Sequence, residues 1–116
     1  MPKQKLNPLP SAAFQILLAL VEEDLHGYGI MRQVEDQTEG RMRLGPGTLY
    51  SSIRTLLEAG IIEEVDVRAE TRPGDERRRY YRLTSAGRKL VCSEAERIAD
   101  LLRVARSKKI LRGAHV

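Results

Sequence analysis

At 116 residues, 41% hydrophobic and 31% charged, the chain has the composition of one small globular domain, which excludes an intrinsically disordered chain. A formal net charge of +4 is too modest to mean anything until its distribution is known. The single cysteine excludes an internal disulfide, and the longest apolar run, "ILLALV" from Ile16 to Val21, is far short of a membrane span.

Three prolines in the first ten residues, with Lys3 and Lys5 among them, predict a basic extended arm over 1–10. No charged-then-apolar leader opens the chain, so with the lone cysteine a cytoplasmic location is expected. Ser11 suits the N-cap of a first helix containing Phe14, Ile16, Leu17, Leu18, Leu20 and Val21. Apolar density on more than one side places that helix centrally. Gly27 and Gly29 fit a tight turn before a second helix, roughly 28–38, with Ile30, Met31 and Val34 inward. A glycine-rich loop leads to a third helix, about Pro46 to Ala59. Pro46 suits its first position and Gly60 its C-terminal stop.

"IIEEVDV" (Ile61 to Val67) and "RRYYRL" (Arg78 to Leu83) are β-rich and flank turn chemistry at Pro73-Gly74-Asp75. They predict a two-stranded ribbon with a long tip, in which Tyr80 and Tyr81 alternate between core and wing face. Thr84 caps a last helix over about 85–109. The expected fold is mainly α with a small β-ribbon: a winged helix-turn-helix over 11–84, a C-terminal dimerisation helix over 85–110, and a tail over 111–116.

In such a fold the third helix enters the major groove. Leu49, Ile53, Leu56 and Leu57 form its buried stripe, which puts Ser51 near the opposite pole among Gly47, Thr48, Arg54 and Thr55. Hydroxyls bond phosphates or base edges, and arginine forks onto guanine. The only carboxylate, Glu58, lies at the far end. Tyr50 sits on the flank, where it can pack on the core edge or reach a phosphate. From Gly40 to Leu57 there are three arginines and no acid. From Arg77 to Ser93, Arg77, Arg78, Arg79, Arg82, Arg88 and Lys89 again meet no acid. Asp75 and Glu76 are near enough to neutralise the Arg77 to Arg79 run, so on residues alone it suits either phosphate or a solvated hairpin.

"LHGYGIMRQVE", "GPGTLYSSIRTLLEAGIIE" and "RRRYYRLTSAG" resemble the three signature blocks of the PadR family of transcriptional regulators, named for the phenolic acid decarboxylase repressor. The resemblance runs from about Ala13 to Leu90. It implies a homodimeric repressor of double-stranded DNA, paired through its C-terminal helix. Thr48, Tyr50, Ser51 and Arg54 match the positions that meet DNA, and Arg77 to Arg79 match the basic wing tip. Ser51-Ser52 replaces a pair that is often Pro-Ala in the family, so base preference does not carry over. The single helix after the ribbon matches the family's short C-terminal class. The resemblance also implies an effector that loosens the grip by changing the spacing of the two recognition helices. The aromatic sandwich of flat ligands used by some relatives is not expected here, because no aromatic follows Thr84.

The dimer helix has its own pattern. Val91, Ala95, Ile98, Leu101, Leu102 and Ala105, with Leu90 beside them, trace a seam at spacings of three and four. A two-fold dimer would read half-sites of a pseudo-palindromic operator, on the order of 34 Å apart. His26 reads as a turn or capping residue. Two distant histidines and one cysteine make no metal site, and no cofactor is expected. Cys92 reads as a small buried residue near the seam, with a redox role across the dimer as the sharper alternative. No nucleophile–base set or phosphate loop points to an enzyme. The competing function is a winged-helix protein–protein module whose basic face docks an acidic partner.

Overall fold

The computed structural model describes residues 9–65 and 79–112. In chain order these form α1 (Ser11–Ala19), β1 (Leu25–His26), α2 (Gly27–Gln37), α3 (Pro46–Glu58), β2 (Ile62–Val65), β3 (Tyr80–Leu83) and α4 (Ser85–Ser107). The small antiparallel sheet has the order β1-β3-β2, with Leu25 opposite Tyr81 and Ile62 opposite Leu83. The arrangement is mainly α with a winged sheet, as the sequence predicts, but the ribbon has a third strand. The two-residue β1 lies where the sequence offers only an interruption, because two residues are too few to show an alternating pattern.

α1 packs against α2, α3 and α4, and so is central. Ile16 and Leu17 are fully buried, as are Ile30 and Val34 of α2 and Leu49 and Leu56 of α3. Ile53, Ile62, Tyr81, Leu83 and Val91 complete the core, and even Leu9, at the end of the expected arm, is buried in it. Several local expectations shift. α1 starts at Ser11 behind Pro10, so Ser11 is its first residue and no side chain caps it. It stops at Ala19, and Leu18 points outward, 36% exposed.

Gly27 and Gly29 lie in the first turn of α2 rather than in a turn before it. His26 explains the early start: its Nδ1 accepts the Gly29 N–H at 2.9 Å, which caps the helix. The cost of glycine in a helix is offset by a close approach. The Tyr50 ring lies so near Gly27 that any Cβ there would overlap its hydroxyl. Thr38 holds the exit of α2, donating through Oγ1 to the Val34 carbonyl at 2.8 Å and accepting from the Met42 N–H at 3.0 Å. Gln37 Nε2 ties that end of α2 back to the Gln15 carbonyl of α1 at 2.8 Å.

Candidate nucleic-acid interface

α3 shows why its outer face is available. Pro46 occupies its first turn, and Gly45 caps it without a side-chain bond. The first bond into the helix runs from the Leu49 N–H to the Gly45 carbonyl at 2.9 Å, so the N–H groups of Gly47 and Thr48 have no acceptor within the helix. No acidic residue stands in that first turn. The positive end of the helix therefore presents bare donors, which suits an anion.

Gly47, Thr48, Tyr50, Ser51 and Arg54 are all exposed, while Leu49, Ile53 and Leu56 are buried beneath them. Thr55 is half-buried, and its Oγ1 donates to the Ser51 carbonyl at 3.2 Å, so its hydroxyl is partly committed to the helix. Tyr50 is 49% exposed with its ring against Gly27, so it packs on the start of α2 while keeping one side in solvent.

The arginines divide into two kinds. Among the described residues Arg54 makes no ion pair. Arg79 pairs with Glu64 across the wing at 3.2 Å, Arg43 with Glu35 at 3.2 Å, and Arg82 with Asp24 at 3.0 Å. All three are surface pairs screened by solvent, so each arginine can exchange its carboxylate for a phosphate at little cost. The Asp24 hydrogen bond, and then its charge, hold Arg82 more firmly protonated. Beneath the wing, burial first and the Glu64 carboxylate second raise the Tyr81 hydroxyl above its ordinary value of 10.0. Tyr81 is the core member of the tyrosine pair, and Tyr80 covers the wing face edge-on to His26, with ring centroids 5.1 Å apart. Glu35, Glu64 and Asp24 are the partners that sequence reasoning missed. The Glu64 pair was readable only from the strand register, which sets Glu64 and Val65 opposite Tyr81 and Tyr80, next to Arg79. Lys3, Lys5, Arg77 and Arg78 lie outside the described residues.

α4 runs for 23 residues, about 34 Å. Ile98, Leu101 and Leu102 are 40%, 54% and 40% exposed, Ala95 is exposed, and Ala105 is half-buried. Val91, placed by the sequence in the seam, is instead buried in the protomer's own core, with Leu90 packed against it. The helix crosses that core with its first two turns, so the apolar stripe serves the protomer there and faces outward only beyond it. Cys92 is exposed on the protomer rather than buried, because it lies one residue off Val91 and so on a different face. Among the described residues no group of His, Cys, Asp or Glu could hold a metal ion, and no helix is long and apolar enough to cross a membrane.

The family model described as "Transcriptional regulator PadR-like family" matches residues 16–92. The chain belongs to the PadR-like family. Solved structures of regulators share the fold. A transcriptional regulator from Clostridium thermocellum is similar with a TM-score of 0.67 and 29% identity, over 86% of this chain and 90% of that one. PadR of Bacillus subtilis, solved in complex with operator DNA, is similar in fold with a TM-score of 0.58 and 18% identity, over 72% of this chain and 45% of that one. An uncharacterized 37.1 kDa protein in transposon TN4556 of Streptomyces fradiae is 36% identical over 90 residues, 78% of this chain. The chain spans only 24% of the length of that relative.

Proposed function

We propose that this PadR-like protein is a sequence-specific DNA-binding repressor that grips a pseudo-palindromic operator as a homodimer. The observation that carries the reading is the outer face of α3. Thr48, Ser51 and an Arg54 without an ion pair among the described residues stand exposed behind an open helix N-terminus, with no carboxylate of α3 on that face before Glu58. α3 reads bases through Arg54 and the hydroxyls of Thr48 and Ser51, while Gly47 and Thr48 offer backbone N–H groups to a phosphate. Tyr50 and Thr55 flank the contact. Arg79, with Arg77 and Arg78, holds the backbone from the wing, and Lys3 and Lys5 do so from the arm. Ala95, Ile98, Leu101, Leu102 and Ala105 of α4 pair the two subunits. The operator complex of the Bacillus subtilis protein supports DNA as the partner. A small-molecule effector that respaces the two recognition helices would release the operator.

The test is a titration of labelled duplex at two salt concentrations, with competition by DNA from the chain's own promoter region. If about five side chains neutralise phosphates, log K falls against log salt with a slope of roughly −4 to −5. Arg54→Ala costs about 1–3 kcal/mol and relaxes specificity at the bases it reads. Unchanged discrimination in that variant would remove α3 from the reading.

A further inference from the structure

The recognition helix and the long C-terminal helix meet at one joint. α3 ends at Glu58 with Ala59 as its cap, and Gly60, at φ 74°, turns the chain into Ile61 and β2. A left-handed φ of that size favours glycine. α4 begins at Ser85 behind Thr84. These two ends, far apart in sequence, are bonded to each other. Thr84 Oγ1 donates to the Gly60 carbonyl at 2.6 Å and lies 3.0 Å from the Ile61 carbonyl. The same oxygen accepts the Gly87 N–H at 3.0 Å and so caps α4. The Thr84 N–H donates to the Ile61 carbonyl at 3.0 Å. Gly87 is buried, and a Cβ there would overlap the Ile61 carbonyl oxygen. The first turn of α4 therefore lies directly on the turn that ends α3, with no side chain between them. Arg88 adds a bond from Nη2 to the Val21 carbonyl beyond α1, at 3.2 Å.

We propose that Thr84 and Gly87 are positioning residues that set the operator half-site spacing this protein accepts, without touching DNA. The proposal rests on the reading of a dimer joined through α4. In such a dimer α4 carries the two-fold relation and α3 carries the base contacts. The angle between them then converts one into the distance between half-sites. α3 has 13 residues and is about 20 Å long. A tilt of about 10° at the Gly60 end moves its N-terminal end by roughly 3.4 Å, one base-pair step. A single hydroxyl that both caps α4 and clamps α3, over a glycine that admits no spacer, holds that angle.

The experiment is selection from a random-sequence duplex pool by the full-length protein, followed by sequencing. The quantity read is the distribution of spacings between paired half-sites. The wild type yields one dominant spacing, and Thr84→Ser, which keeps the hydroxyl, retains it. Thr84→Val and Gly87→Ala broaden the distribution or shift it by a base pair or more. Thr84→Asp still caps α4 but has no hydrogen to give the Gly60 carbonyl, so it opens the joint and leaves the helix intact. It carries the test should the valine variant fail to fold, with circular dichroism confirming its helix content. An aspartate variant that keeps the wild-type spacing overturns the proposal. A wild-type pool lacking paired half-sites would instead overturn the dimeric reading beneath it.

Discussion

Leu101→Ala measures whether α4 joins two subunits. Leu101 is 54% exposed on the protomer, the most exposed of the three large side chains on the outer stripe of α4, above Ile98 and Leu102 at 40% each. Fully burying a leucine is worth about 2 kcal/mol. Covering the exposed half of Leu101 is therefore worth about 1 kcal/mol in each subunit, and two-fold symmetry doubles the loss to about 2 kcal/mol per dimer. That corresponds to roughly a 30-fold rise in the dimer dissociation constant. The monomer should be nearly indifferent, because an exposed side chain away from the core changes stability by less than about 0.5 kcal/mol. Sedimentation equilibrium over a range of protein concentrations reads the dissociation constant, and urea unfolding at low concentration reads the monomer. A dissociation constant unchanged within about threefold would show that Leu101 is not at the seam, since the area argument leaves no room for so small an effect.

Gly27→Ala should behave oppositely in two backgrounds. Beside Tyr50 the new methyl must push the ring out of place, which offsets the gain of up to about 1 kcal/mol that alanine brings to a helix. In Tyr50→Ala the obstacle is gone and the same change should stabilise; thermal unfolding of the four proteins gives the coupling, and equal effects in both backgrounds would refute the contact. Tyr81 gives a pH signature. Its hydroxyl is raised in the fold above 10.0, so its contribution to stability is complete below that pH and is lost as pH climbs through the folded value. Tyr81→Phe should flatten the alkaline fall in urea midpoint, and an unaltered slope would show that another group titrates there.

The long elements were legible because each repeats a pattern. The stripe of Leu49, Ile53 and Leu56 fixed α3 and its outer face, and Pro46 and Gly60 marked its ends. Thr84 announced α4, and its side chain caps that helix as the sequence implied. What escaped depends on contacts between residues distant in the chain. β1 is too short for a period, and its pairing with β3 is settled by tertiary packing alone. The two glycines after His26 read as a turn because nothing local tells of the Tyr50 ring that needs the clearance at Gly27. Val91 fits the heptad as well as Ile98 does; only the path of α4 across the core separates one that faces inward from one that faces out. The pairs of Arg79 with Glu64 and of Arg82 with Asp24 escaped because those carboxylates come from other segments.

The small strand β1 has a mechanical consequence. β3 is the middle strand of the sheet, hydrogen-bonded to β2 on one side and to Leu25 and His26 on the other. His26 is also the residue from which α2 springs. A load applied to the wing stalk therefore shears against the root of the helix pair instead of bending away alone. On the proposed reading of DNA binding, α3 and the stalk of the wing would then move as a single lever, and a duplex that fits one but not the other would be rejected.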